Sequence, residues 1–144
     1  MTGNNAQGKS YIVSDEVVSG GAITSLFDTS SDTPAGAYSA GESREMHPGD
    51  SPQLEPALGG SKLLFVTLPP RQGAGGNTAM HHTWTIDYNV VLSGELVLIL
   101  ESGEVTLKAG DVVVQRNTLH AWRNNSTTDP IRWLAVLLPI RRQV

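Results

Sequence analysis

The chain has 144 residues, a formal net charge of −4 and no cysteine. This length suits a single domain that buries about two thirds of the surface its unfolded form exposes. The absence of cysteine excludes disulfides, thiolate metal sites and cysteine nucleophiles, so any metal must be held by nitrogen and oxygen. The basic residues are scattered and give no electrostatic footprint for nucleic acid or for an anionic membrane, so we expect neither as a partner.

No segment has the pattern of a membrane span or a signal peptide. The longest apolar runs, such as LVLIL at 96–100, are too short to cross a bilayer, and the start MTGNNAQGKS has no apolar core. We therefore expect a soluble cytoplasmic protein.

Residues 1–60 are rich in Gly, Ser, Pro and Asp. Apolar stretches at 11–18 and 22–27 indicate one or two short strands, and a long irregular loop follows at 30–60. Loops of that length are commonly lids, binding loops or arms that wrap a partner. We interpret residues 1–60 as an N-terminal arm that belongs to the same domain as the rest. His47 is expected to be exposed on this loop, with a lid histidine that reaches the pocket as the alternative.

The sequence pattern of residues 61–144 is typical of a β-barrel. KLLFVTLPP at 62–70 and IRWLAVLLPI at 131–140 indicate strands, and the region between them predicts four or five more, separated by the turn signals SGE, ESGE, KAGD and RNT. Alternation recurs, and no apolar period of 3.6 extends over three turns. The predicted fold class is all-β, with turns spaced as in a sandwich or small barrel.

Two spaced motifs lie in this barrel region. The stretch MHHTWTIDYNVVLSG at 80–94 contains His81, Asp87 and Gly94, and the second motif contains Gly110, His120 and Asn124. At these spacings, residues 62–138 resemble the small single-domain cupins, whose fold is a double-stranded β-helix or jelly-roll barrel. The opening glycine of the first cupin motif would fall at Gly75. The chain departs from the family pattern at four positions: Thr83 for the second histidine, Asp87 for glutamate, and Arg116 and Thr118 for proline and glycine.

The period of two along a strand decides which side chains share a face. If His81 faces inward, Thr83, Thr85 and Asp87 do so as well, whereas His82 and Trp84 point outward. The resemblance brings His120 to the same cavity. We therefore predict a site of His81, Asp87 and His120, with four possible lining residues: Thr83, Thr85, Asn89 and Trp122.

Two imidazoles and a carboxylate can serve as ligands for a divalent ion such as iron, manganese, zinc or nickel. With such an ion as a Lewis acid, the resemblance implies a lyase or isomerase that decarboxylates, dehydrates or cyclises a small carbonyl-bearing metabolite. Three alternatives stay open: a metal-free acid–base enzyme that uses the same residues, an iron-dependent oxygenase, and a non-catalytic ligand-binding cupin. Asp87 has a structural alternative as a turn residue that caps backbone amides.

Cupins frequently pair as dimers. The long arm and outward aromatic residues such as Trp84 and Tyr88 would suit sheet packing or strand exchange between two subunits. We therefore expect a homodimer.

Overall fold

The computed structural model describes residues 2–13, 15, 17, 22–29, 54–71 and 78–141. These residues form ten strands: β1 (Thr2–Asn4), β2 (Ser10–Ile12), β3 (Ile23–Thr29), β4 (Ser61–Leu68), β5 (Thr85–Ser93), β6 (Glu95–Leu100), β7 (Gly103–Lys108), β8 (Val112–Arg116), β9 (His120–Asn124) and β10 (Ile131–Pro139). Across the described ranges, no helix is long and apolar enough to span a membrane.

The strands form three sheets whose neighbours are all antiparallel. A small hairpin joins β1 to β2, a five-stranded sheet has the order β3-β4-β10-β5-β8, and a three-stranded sheet has the order β7-β6-β9. Apolar side chains from the two larger sheets meet in one core. That core comprises Leu64, Val91, Leu96, Leu98, Leu107, Trp122, Ile131, Trp133, Ala135 and Leu137. The all-β, jelly-roll prediction is confirmed.

Gly94 and Gly110 lie at turns that need a positive φ. Gly94 connects β5 to β6 at φ +80°, and Gly110 lies between β7 and β8 at φ +93°. Side-chain-bearing residues rarely adopt this region, which explains glycine at both motif positions. A Cβ on Gly94 would also lie 3.0 Å from Cγ1 of Ile131, whereas a Cβ on Gly110 would enter open space.

Asn124, the last anchor of the second motif, links the end of β4 to the loop between β9 and β10. Its side chain is fully buried. The amide Nδ2 donates to the carbonyl oxygens of Pro69 at 3.0 Å, Asp129 at 2.9 Å and Leu68 at 3.3 Å, and Oδ1 accepts from the N–H of Ser126 at 2.9 Å. Because this amide satisfies otherwise unpaired backbone groups, its role here is structural.

The N-terminal region differs in detail from the strands that the sequence indicates. Among the described residues of the stretch predicted at 11–18, only Tyr11 and Ile12 belong to a strand, β2, and β1 was not predicted. The stretch predicted at 22–27 corresponds to β3, which pairs with β4 inside the five-stranded sheet. His47 and Gly75 lie outside the described residues. The division into an arm at 1–60 and a barrel at 61–144 stays a prediction.

Candidate active site

Strand β5 presents alternate residues to the interior, as the period of two predicts. Thr85, Asp87 and Asn89 are buried, with exposed fractions of 1%, 8% and 3%, whereas Tyr88 between them is 42% exposed. The strand begins at Thr85, so His81 and Thr83 reach the same interior from the segment that precedes it.

His81 and His120 face each other because their backbones are paired. The N–H of His81 donates to the carbonyl of His120 at 2.8 Å, and the N–H of His120 donates back at 2.9 Å. Directly opposed residues of an antiparallel pair carry their side chains on the same face. The two imidazole centroids are 4.4 Å apart.

Main-chain carbonyl groups fix the tautomer of both rings. Nδ1 of His81 lies 2.8 Å from the carbonyl oxygen of Ala79, and Nδ1 of His120 lies 2.8 Å from that of Thr118. A carbonyl oxygen only accepts, so each Nδ1 carries the hydrogen and donates it. In the neutral rings, Nε2 is therefore the nitrogen with the available lone pair.

Burial moves the pKa values of two site residues in opposite directions. It lowers the pKa of His120, and the neighbouring His81 and His82 lower it further against a hydrogen bond to Thr118. Burial raises the pKa of Asp87, although the hydroxyl of Thr85 and the charge of His81 oppose that rise. Both shifts favour the uncharged forms, a neutral imidazole and a protonated carboxyl group.

A chain of hydroxyl groups leads to Asp87. The hydroxyl of Thr85 is hydrogen-bonded to the carboxyl group of Asp87, and the hydroxyls of Thr83 and Thr85 are hydrogen-bonded to each other. Thr83, which stands where the cupin motif has its second histidine, therefore contributes a hydroxyl to this chain instead of a nitrogen ligand.

His81, Thr83, Asp87 and His120 line an interior cavity of about 210 Å³. The order of the five-stranded sheet gives this cavity two unlike walls, because β10 separates β3 and β4 from β5 and β8. Strands β3 and β4 contribute four apolar side chains, which we call the apolar wall: Ile23, Leu64, Val66 and Leu68; Thr67 of β4 also lines the cavity. We call the opposite side the polar wall; it consists of His81, Thr83, Asp87, Asn89, Gln115 and His120.

Gln115 is a wall residue that the sequence analysis missed. It lies opposite Asp87 in the pairing of β5 with β8 and is 4% exposed. Its Oε1 accepts a hydrogen bond from Nδ2 of Asn89 at 3.1 Å. Gln115 Nε2 and Asp87 Oδ1 are both buried and make no hydrogen bond within the described part of the chain. The inward parity of β8 could have identified Gln115.

Most of the residues predicted for the site line this cavity. His81, Asp87 and His120 do so, together with Thr83, Asn89 and Trp122. Thr85 is 1% exposed, its hydroxyl is hydrogen-bonded to that of Thr83, and it is not among the residues that line the cavity, so its place in the substrate pocket stays a prediction. His82 is exposed and packs edge-on against Trp84, with ring centroids 6.3 Å apart, which agrees with the outward direction predicted for both. Leu54, in the described segment that precedes β4, also lines the cavity.

The described residues fit a metal ion only in part. The two imidazoles have the tautomer typical of metal ligands, which usually donate their other ring nitrogen to a carbonyl or carboxylate. Across residues 2–141 as far as they are described, however, no three side chains of His, Cys, Asp or Glu are grouped so that they could hold an ion. The three-ligand site of His81, Asp87 and His120 stays a prediction.

Comparison with known proteins shows the family. The cupin domain model matches residues 64–137. A protein of Neurospora crassa named cupin-domain-containing oxidoreductase is 31% identical over 100% of this chain, which covers 76% of that protein. Phomopsin biosynthesis cluster protein D of Diaporthe leptostromiformis is 55% identical over 71 residues, which are 49% of this chain and 35% of that protein. The match thus spans only about a third of the Diaporthe protein's length.

Solved structures include similar barrels. A cupin 2 conserved barrel domain protein from Salinispora arenicola is 18% identical and superposes with a TM-score of 0.47, covering 54% of this chain and 62% of that chain. The family match and the Neurospora relative carry the assignment: the chain belongs to the cupin family.

Proposed function

We propose that this cupin is an enzyme that moves a proton at a carbon atom beside a carbonyl group, the chemistry of a lyase or isomerase. The observation that carries the proposal is the pair of facing imidazoles, His81 and His120, whose Nδ1 atoms are both engaged by main-chain carbonyls. Both rings therefore offer Nε2 as a base inside a largely apolar cavity.

The proton transfer begins at His120. Because burial lowers its pKa, the ring is neutral and its Nε2 lone pair takes a proton from the carbon beside the carbonyl. The electron pair of the broken C–H bond moves onto the carbonyl oxygen and gives an enolate. In an isomerisation, the imidazolium returns the proton at another carbon.

In a lyase reaction, Asp87 takes the second role. Burial raises the pKa of its carboxyl group, which favours the protonated form. A hydroxyl group beyond the enolate leaves with the Asp87 proton as water, and the enolate electrons form the new C=C bond. Opposed pKa shifts in one pocket are typical of an acid–base pair.

The named relatives support an enzyme of secondary metabolism. The Diaporthe protein is named for a biosynthesis cluster, and the Neurospora protein is named an oxidoreductase. These names support the enzyme class in general and do not choose between a lyase, an isomerase and an oxidoreductase.

Deuterium exchange tests proton abstraction without the natural substrate. We expect the protein to speed the exchange of the hydrogens beside the carbonyl of nonanone in deuterium oxide, followed by proton NMR. His81→Gln and His120→Gln should each slow this exchange by about a hundredfold, the usual contribution of a positioned acid or base.

Thr106→Gln is the control, because Thr106 is exposed on β7 and does not line the cavity. It should exchange like the wild type. Exchange at the buffer rate with the wild type, or equal rates in all three variants, would contradict the proposal.

A metal-dependent oxidoreductase is the second candidate. The oxidoreductase name of the Neurospora relative favours it, and so does the tautomer of the two histidines. If an ion is bound, His81 and His120 would hold it through Nε2, and it would act as a Lewis acid or redox centre.

Elemental analysis by plasma mass spectrometry distinguishes the two candidates. Under the second candidate, untagged wild-type protein carries near-stoichiometric iron, manganese, zinc or nickel, which His81→Ala and His120→Ala both lose. Folded wild-type protein that carries no ion and takes up none when ions are added would leave the acid–base reaction as the function.

A further inference from the structure

Two buried polar atoms without a partner belong to cavity-lining residues that lie opposite each other on neighbouring strands. Oδ1 of Asp87 and Nε2 of Gln115 make no hydrogen bond within the described residues, although both side chains are more than nine-tenths buried. Buried polar atoms are nearly always paired, and leaving one unpaired is costly. An unpaired donor and an unpaired acceptor in a cavity together indicate a ligand that supplies the partners.

The two atoms define the oxygen-bearing end of that ligand. Asp87 and Gln115 are directly opposite in the pairing of β5 with β8, where Cβ atoms lie about 4.5–5.5 Å apart. An amide N–H donates only to an acceptor such as a carbonyl oxygen. A carboxyl oxygen pairs with a hydroxyl group. The matching ligand therefore carries a carbonyl and a hydroxyl on nearby carbons.

The remaining cavity indicates that the ligand is uncharged and has an apolar body. None of the described lining residues is lysine or arginine, and burying an anion without a cation is expensive. The apolar wall of Ile23, Leu64, Val66 and Leu68 offers only hydrocarbon surface.

Building on the proposed function, we propose that the substrate is a neutral β-hydroxy carbonyl compound with an apolar chain or ring. Its carbonyl oxygen accepts from Nε2 of Gln115, its hydroxyl group pairs with Oδ1 of Asp87, and its apolar body lies against the wall formed by β3 and β4. Gln115 and Asp87 are then the residues that determine specificity.

Binding is measured by the fluorescence of Trp122 and Trp133, which both line the cavity. The probes are β-hydroxynonanone, its deoxy analogue nonanone and the anion β-hydroxynonanoate. For the wild type, we expect β-hydroxynonanone to bind about threefold to tenfold tighter than nonanone, the net effect of one hydrogen bond. β-Hydroxynonanoate should bind most weakly. This ranking needs no variant and so does not depend on the folding of one.

Two variants assign the two contacts. Asp87→Leu should abolish the preference for β-hydroxynonanone over nonanone, because the partner of the hydroxyl group is lost. Gln115→Met should weaken both ketones equally, by about threefold to tenfold, and leave their ratio unchanged. Val105→Thr, on the exposed face of β7, is the control and should change neither value.

The proposal is overturned if the wild type binds nonanone as tightly as β-hydroxynonanone, if β-hydroxynonanoate binds most tightly, or if the hydroxyl preference persists in Asp87→Leu. Tryptophan fluorescence tests binding, and deuterium exchange tests catalysis separately. Absent deuterium exchange with an intact ranking would refute only the proton-transfer function, and intact exchange with a failed ranking would refute only this substrate class.

Discussion

At the residue scale, the buried carboxyl group of Asp87 in the polar wall provides an acid for the proposed reaction but lowers the stability of the folded state. Asp87 is buried with one oxygen unpaired, and its burial raises the pKa of the carboxyl group. A raised pKa means that the folded state binds the proton more tightly than the unfolded state. The resulting stabilisation is complete below the unfolded pKa and is lost as pH rises through the folded pKa. Ionised Asp87 is therefore unfavourable to the fold at neutral pH.

We accordingly predict that Asp87→Asn raises the free energy of unfolding at pH 7, because the amide removes the cost of burying an ionised carboxylate. The gain should shrink as pH falls toward about 3.9, the ordinary pKa of aspartate. Urea unfolding at both pH values measures it. Asp111→Asn, at an exposed position, serves as the control and should show no such pH-dependent gain. A loss of stability in Asp87→Asn at pH 7 would contradict this account.

At the scale of elements, the tight turns fix how the strands meet. Gly94 and Gly110 both have positive φ, but only Gly94 is crowded, by Ile131 at the start of β10. We predict that Gly110→Ala lowers the free energy of unfolding by about 1 kcal/mol through backbone strain alone. Gly94→Ala should cost about 2 kcal/mol, because Ile131 must shift as well. Equal losses in urea unfolding would show that this contact is unimportant.

The same scale explains what the sequence could predict. Strands β4 and β10 follow from their apolar runs, and the inward parity of Asp87 and Asn89 follows from the period of two. The pairing of His81 with His120 carries no local signal, because it depends on contacts between distant parts of the chain. Strands β1 and β2 were missed or misplaced because three residues each are too short for a pattern. Gln115 was missed because only the motif anchors were followed through β8.

At the scale of the whole molecule, the outer face of the five-stranded sheet carries an exposed apolar patch on β5 and β8. Strands β5 and β8 expose Tyr88, Leu92, Val112 and Val114 by 42% to 60%, and β8 ends that sheet. Contiguous exposed apolar surface is typical of an interaction site. We therefore retain the homodimer as a proposal and assign this face to its interface.

Light scattering tests the dimer at micromolar concentration. We expect the wild type to have twice the mass of one chain, and a variant that combines Val112→Lys with Val114→Lys to have the mass of one. The lysines should separate the subunits because each would bury an unpaired charge at the interface. Thr106→Lys, at an exposed position on β7 of the other sheet, is the control and should stay dimeric. A monomeric wild type would refute the proposal.

The backbone pairing of residues 81 and 120 separates the geometry of the site from its reactivity. Both hydrogen bonds join main-chain groups, so two different side chains placed there would still face each other across the cavity. Replacing one imidazole with a thiol, a carboxylate or an amide would change the reaction without requiring a new backbone arrangement in the barrel. The fold thus holds these two side-chain positions opposite each other, and a designer can exchange the reactive groups there without changing their alignment.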